Sequence, residues 1–242
     1  MYQFFVRDDA VKGGRVMISG SDAFHLVNVV RVKKGEKIRI STDSEANYLC
    51  AYEGQEQGNA ILTIIDENIC NTELKNRIHL FQGIPKKERF EYLIEKTVEL
   101  GVHEIIPVRM KYCVAKLERE KADAKVARLN GKAMAAAKQS KRSHVPNVTE
   151  AKDFTEAVKR SRDMDLVIVP YENAATPPME LLREYSEMRN KDIAVFIGPE
   201  GGFAEEEIET LQGFSRIISL GDRILRTDTA AIVTLGILSV ME

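Results

Sequence analysis

The stretch from Asp192 to Glu242 constrains this chain more than any other part of it. Ile193 to Ile197 is a short apolar run rich in branched residues, the pattern of a strand buried on both faces. It stops at Gly198-Pro199-Glu200-Gly201-Gly202, where the glycines allow positive φ and let a ligand approach the backbone closely. Pro199 fixes its own φ and biases Gly198 toward an extended shape. Ala204 to Leu211 then has helical periodicity, with Glu205, Glu206 and Glu207 in the first turn, where the helix dipole favours acids. A second short strand, Arg216 to Leu220, leads to another tight turn at Gly221-Asp222. After Arg223-Ile224-Leu225-Arg226 come Thr227, Asp228 and Thr229, each a good N-cap for a last helix from Ala230 to Val240. That helix has almost no polar face, which predicts burial.

Two turns, each after a strand and before a helix, predict a ligand crevice at the carboxyl ends of a parallel sheet. An ordinary α/β domain also has such connections, so the glycines alone do not decide the matter. The three acids after the first turn would repel a phosphate. The loop is neither GxxxxGK[ST] nor GxGxxG, so the P-loop and dinucleotide fingerprints are absent.

GPEGGF followed by acids, and then LGDRILRTDTA, resembles the C-terminal motifs of the bacterial 16S ribosomal RNA uridine-N3 methyltransferases, the RsmE family. That family belongs to the SPOUT class. The resemblance implies an α/β fold with an N-terminal PUA-like β-barrel followed by a SPOUT α/β-knot, whose C-terminal trefoil knot holds S-adenosylmethionine. It covers the whole chain. One departure is Asp228, where the family usually has Glu, so the carboxylate is kept but is one methylene shorter.

The rest of the chain fits that frame. Its 242 residues allow one large or two modest domains with ample core. With 44% hydrophobic and 30% charged residues it is expected to be globular, and it has no apolar run of about 18 residues that would span a membrane. MYQFFVRDDA does not read as a signal peptide, and three scattered cysteines fit a reducing cytoplasm without zinc spacing. The net charge of −2 hides an asymmetry: Lys75 to Arg142 carries a net +9, Ser143 to Glu242 a net −8. One basic face is the footprint of a nucleic-acid binder, although a solvated helix surface has the same composition.

From Tyr2 to Ile69 five short strand candidates (Phe4–Val6, Arg15–Ile18, Lys37–Ile40, Tyr48–Tyr52, Ala60–Ile65) suggest a barrel, with one helical insert from Ser21 to Val30 capped by Ser21 or Asp22. The polar run Asn71 to Asn76 reads as a linker, which gives an RNA-binding barrel over 1–70 and a methyltransferase domain over 75–242. Arg77 to Ile84 is the next strand. A helix then opens at Pro85 with apolar positions Phe90, Leu93, Ile94, Thr97 and Val98, stops at Gly101, and is followed by a strand from Glu104 to Val108. Leu117 to Lys138 reads as a long basic helix, Phe154 to Lys159 as another, and Asp165 to Val169 as a buried strand ending at Pro170-Tyr171-Glu172. Thr176-Pro177-Pro178 starts a further helix. Strands alternating with helices predict a parallel sheet.

The resemblance implies roles for particular residues. Val169, Pro170, Ile197, Gly198, Pro199, Gly201, Gly202, Leu220, Gly221, Ile224 and Leu225 would hold S-adenosylmethionine. Arg7, Arg31, Lys33, Lys86, Arg89 and Arg223 would contact RNA, since Arg meets phosphate and guanine edges in fork geometry. Arg142, at the end of the AMAAAKQSKR segment, would grip the target nucleotide. Glu200 and Asp228 are candidates for taking the uracil N3 proton. Arg142, Arg223 and Arg226 would stabilise the resulting anion. Glu200 alternatively caps the helix that follows it. No metal is needed for methyl transfer. The implied function is methylation of uridine N3 in 16S rRNA of the small ribosomal subunit, by a cytoplasmic homodimer. A SPOUT enzyme acting on another RNA, at a ribose 2′-hydroxyl, and a non-enzymatic RNA-binding assembly factor are the alternatives.

Overall fold

In the computed structural model, which describes residues 1–67, 69–114 and 122–242, the chain separates into two units. One comprises 1–73 together with 137–144, the other 74–136 together with 145–242. Residues 137–144 thus group with the first unit, which the order of the sequence does not reveal.

The first unit is built on period-two alternation. Its strands are β1 (Tyr2–Val6), β2 (Val11–Lys12), β3 (Arg15–Ile18), β4 (Lys37–Thr42), β5 (Asn47–Glu56) and β6 (Asn59–Asp66). They form one sheet in the order β1-β4-β5-β6-β3-β2, with β1 parallel to β4 and the other pairs antiparallel. Register shifts in β5 at Leu49/Cys50 and Tyr52/Gly54 mark irregularities where bulges curl such a sheet. Phe4, Leu26, Ile38, Ile40 and Leu62 fill its core. The insert expected as a helix from Ser21 to Val30 begins one residue earlier and changes character midway. Helix α1 covers Gly20–Phe24, and a π-type turn covers His25–Val29. The β-branched residues Val27, Val29 and Val30 are poor helix formers and account for the break.

A buried ion pair closes this unit. The Glu73 carboxylate accepts Arg142 Nε at 2.9 Å, the Arg142 Nη2 group, and the backbone N–H groups of Ser143 at 2.7 Å and His144 at 3.0 Å. Gln3 Nε2 donates to the Arg142 carbonyl at 2.6 Å, and Arg39 reaches Asn47, the Cys70 carbonyl and Ser143. Burial alone would raise the Glu73 carboxyl. The hydrogen bonds and charge of Arg142, with the two backbone N–H groups, outweigh burial and hold it below its ordinary value.

The second unit is a parallel sheet. Its strands are β7 (Arg77–Gly83), β8 (Glu104–Arg109), β9 (Asn147–Val148), β10 (Lys152–Asp153), β11 (Leu166–Pro170), β12 (Asp192–Ile197) and β13 (Arg216–Ile218). The order is β10-β8-β7-β12-β11-β13, with β9 also paired to β8. The helices are α2 (Lys87–Glu99), α3 (Ala122–Ser140, whose last residues 137–140 group with the first unit), α4 (Phe154–Ser161), α5 (Met179–Glu187), α6 (Glu205–Gln212) and α7 (Thr227–Val240). The start of α3 expected at Leu117 lies outside the described residues. Gly101 has φ +94 just past α2, the left-handed geometry a helix stop requires. Phe81 of β7 stacks on Phe196 of β12 at 4.6 Å between ring centroids, joining the two central strands in the core.

Two expectations for the tail need correction. Helix α7 begins at Thr227, with Arg226 at the N-cap, so the three expected caps lie inside its first turn. It is also not buried all round: Ala231, Thr234, Leu235 and Leu238 are buried, while Ile232, Val233 and Ile237 are half-buried and Val240 is exposed. Its packing on α2 and β12 covers only one stripe of an apolar cylinder. Among the described residues no helix is long and apolar enough to cross a membrane.

Because Glu73 is held below its ordinary value, its contribution to stability is complete above the ordinary glutamate range and is lost as pH falls below it. Glu73→Gln should lower the unfolding free energy at neutral pH by about 3 kcal/mol, since it removes the negative charge that meets Arg142 and the Ser143 and His144 N–H groups at a buried site. Urea denaturation at neutral and acidic pH checks this. The difference between variant and parent should shrink toward acid; a constant difference contradicts the assignment.

Candidate functional site

Two bends, one after β12 and one after β13, define the site beside the carboxyl ends of β7 and β11. The first bend, Gly198–Phe203, leaves β12 and enters α6. Its Gly202 adopts φ +74 and donates its N–H to the Pro199 carbonyl at 3.0 Å. The bend is wedged between two neighbours. A Cβ on Gly83, at the end of β7, would lie 2.5 Å from the Pro199 nitrogen, and one on Gly201 would lie 2.7 Å from Tyr112 Cβ. Glycine at both positions is therefore a packing requirement.

Carboxylates fix the bend at both ends. Glu207 Oε2 accepts the Ala204 N–H and Oε1 the Lys111 N–H, each at 2.9 Å. Lys111 also pairs with Glu206, whose hydrogen bond and charge raise the ammonium above its ordinary value. Glu200 Oε1 accepts the Lys86 N–H at 3.0 Å, so this side chain serves the start of α2 and not its own following helix. The other oxygen, Glu200 Oε2, is buried with no hydrogen-bond partner.

The second bend runs from β13 to α7. Gly221 takes φ +106 and donates its N–H to Ser219 Oγ at 3.1 Å. The chain then delivers Ile224, Leu225 and Arg226 opposite the first bend, where Thr227 joins the two: its hydroxyl donates to the Gly198 carbonyl at 2.6 Å and accepts Gln82 Nε2 at 2.9 Å.

Between the bends lies a crevice of about 490 Å³, within the range of small-molecule sites. Ile197, Gly198, Pro199, Glu200, Gly201 and Gly202 line one side, and Ile224, Leu225 and Arg226 the other. Pro170, Lys86 and Arg89 complete the expected residues on its wall. Leu220, Gly221 and Arg223 line an adjoining recess of about 70 Å³ that shares Pro170, Ile224 and Leu225. Val169 lies one residue behind the wall, in the core. Asp228 is not on the wall, but its Oδ1 stands 3.8 Å from Arg89 Nη1 and is buried without a hydrogen bond.

Four expected residues belong to the other unit. Arg142 is 3% exposed and committed to Glu73. Arg7 is exposed and pairs with Asp9 at 3.6 Å. Arg31, at φ +56, and Lys33 are exposed. Conversely, the crevice includes Phe203 and Ala230, to which sequence reasoning gave no binding role, together with Glu172 at the end of the β11 segment, and depends on Thr227 and Gln82. An amide directly after the apolar pair Leu80-Phe81 near the end of RIHLFQG was the available signal for Gln82, since a buried polar group requires a partner.

Such a site can hold a flat, partly apolar ligand against backbone amides and carbonyls. The orphaned Glu200 oxygen offers an acceptor for a ligand donor, and Glu172 adds a second carboxylate suited to a cationic group. Lys86, Arg89 and Arg226 present positive charge at the same wall, suited to a polyanion.

Comparisons with known proteins agree with this geometry. Residues 72–239 match the model of an RNA methyltransferase domain, and residues 18–65 that of an RNA methyltransferase PUA domain. The ribosomal RNA small subunit methyltransferase E of Bacillus subtilis is 31% identical over 228 residues, covering 92% of this chain and 88% of the relative. The protein of the same name from Mycobacterium tuberculosis is 27% identical, with 98% and 91% covered. Among solved structures, the Neisseria gonorrhoeae ribosomal RNA small subunit methyltransferase E bound to S-adenosylmethionine superposes with a TM-score of 0.83 at 27% identity, over 100% of this chain and 98% of that one. A Legionella pneumophila protein, also bound to S-adenosylmethionine, gives 0.81 at 28%, over 99% and 97%.

Gly83→Ala tests the wedge directly. Its Cβ must push the first bend off the end of β7, an overpacking that should cost about 1–3 kcal/mol in urea unfolding. A variant as stable as its parent would show that the bend is free to move.

Proposed function

Since the chain belongs to the RNA methyltransferase family that includes the ribosomal RNA small subunit methyltransferase E proteins, we propose that it methylates N3 of a uridine in 16S rRNA with S-adenosylmethionine as donor. The carrying observation is the crevice between the two bends, in a fold whose solved relatives hold this cofactor. Its apolar walls at Ile197, Phe203, Ile224 and Leu225 suit adenine, and its backbone polar groups suit the ribose and base edges. The carboxylates of Glu172 and Glu200 suit the positive charges of the methionine part.

The bound cofactor supplies a methyl group on a sulfonium, ready for in-line displacement. The protein's share is positional and electrostatic. Holding the acceptor nitrogen in line can contribute about 7–11 kcal/mol. Uracil N3 carries a proton on the Watson–Crick edge, so the base must be unpaired or flipped out. Two carboxylate oxygens, Glu200 Oε2 and Asp228 Oδ1, are buried without hydrogen bonds and can take that proton. Arg89, 3.8 Å from Asp228, and Arg226 on the wall can hold the ring's developing negative charge. Lys86 and Arg223 then serve the RNA backbone near the crevice, while Arg7, Arg31 and Lys33 serve it from loops of the first unit. Arg142 keeps the structural partner it already has, Glu73. The trefoil knot implied by the resemblance, and a cytoplasmic setting alongside the ribosomal RNA, belong to the same reading.

A homodimer is also part of the proposal. The half-buried face of α7, with Ile232, Val233, Ile237 and exposed Val240, is apolar enough to require a cover, and a second copy supplies one.

Nucleoside mass spectrometry of rRNA from a deletion strain tests the substrate. N3-methyluridine should disappear from 16S rRNA and return on complementation; an unchanged level rejects the assignment. Light scattering should give two chains per particle, and Ile237→Asp should shift it to one. A monomeric parent removes the dimer from the account.

A further inference from the structure

We propose that Thr227 is a positioning residue whose hydroxyl sets the spacing of the two crevice walls, through a relay running from Gln82 to Thr227 to Gly198. This deepens the methyltransferase reading and rests on it. Thr227 is the first helical residue of α7, one position past the N-cap Arg226, so its hydroxyl is not the helix's cap. The hydroxyl is spent elsewhere: its single proton goes to the Gly198 carbonyl at 2.6 Å, and its lone pair takes Gln82 Nε2 at 2.9 Å.

Three elements therefore meet at one oxygen. Gln82 is the penultimate residue of β7, Gly198 opens the first bend after β12, and Thr227 begins α7 directly after the second bend. β7 and β12 are neighbours, with Gln82 paired to Ile197 across the ladder. Gln82 is fully buried, and its amide also donates to the Gly83 carbonyl at 2.9 Å. Both amide protons are thus used, and the side chain cannot swing to serve another partner. Gly83 is the residue against which Pro199 is wedged, so the relay and the wedge hold the same bend from adjacent points. Ile224, Leu225 and Arg226, the opposite wall, are joined covalently to Thr227. The shortest path from wall to wall is the Thr227–Gly198 hydrogen bond.

Thr227 is 5% exposed, so water does not replace a deleted hydroxyl at no cost. Thr227→Val keeps the shape and removes the hydroxyl, which unties the Gly198 carbonyl on the crevice wall and leaves one buried Gln82 N–H without its partner. Thr227→Ser restores both hydrogen bonds.

The test is calorimetric titration of S-adenosylhomocysteine into the parent protein and each variant, with thermal unfolding and KM and kcat measured in parallel. Thr227→Val should weaken binding at least about tenfold, the loss expected when a hydrogen bond is removed and a buried partner is stranded. It should raise KM for S-adenosylmethionine while changing kcat at saturation little. Thr227→Ser should bind within about threefold of the parent. Gln82→Met, which removes the donor and leaves the hydroxyl, should fall between them, and it carries the test if Thr227→Val does not fold. A folded Thr227→Val protein that binds like the parent overturns the proposal, and so does a Ser variant as weak as the Val one. A parent protein that does not bind S-adenosylhomocysteine at all overturns the methyltransferase reading itself, and the relay's purpose with it.

Discussion

The Gly198 carbonyl accepting the Thr227 hydroxyl is the contact on which the crevice depends. Neither bend has much to hold its shape alone. The first carries three glycines and a proline between β12 and α6, and the second exposes Gly221, Arg223 and Ile224 to solvent. Loops of this composition are normally mobile. The first is braced by Gly83 behind it, Tyr112 beside it, and Glu200 and Glu207 at its ends. The second is braced chiefly by the start of α7, and Thr227 transfers the order of one bend to the other.

The sheet makes that transfer possible. Because β12 lies between β7 and β11, the bend that leaves it emerges at the middle of the sheet, with the ends of both neighbours within reach. Pro170 and Glu172 come from one side, Gln82, Gly83 and Lys86 from the other. A bend at an edge strand would have had one neighbour only. The wall therefore combines acids, which suit a cationic cofactor, with Lys86, Arg89 and Arg226, which suit an RNA substrate. The near-neutral net charge of the whole chain conceals this division.

Local patterns made much of this legible. The strand-glycine-helix succession at Ile197–Glu205 and at Ile218–Thr227 locates both bends from sequence alone, because turn chemistry is written in neighbouring residues. Non-local pairing was not legible. Arg142 looked available for a ligand because its partner, Glu73, is 69 positions away. Glu200 looked like a cap for the helix beside it, yet it serves a nitrogen 114 positions away. A threonine ahead of an apolar helix reads as a cap in any sequence, and nothing in RTDTA distinguishes one that caps from one that ties two bends together. Helix α7 looked uniformly apolar, and it is, but which of its sides the sheet covers depends on packing that composition does not encode.

Hydrogen exchange with and without S-adenosylmethionine measures the central claim most directly. If one small nucleoside is held between both bends, amides of 197–203 and of 220–227 should gain protection together, at the same ligand concentration. Protection of one bend while the other exchanges as before, at a concentration that saturates binding, would contradict it.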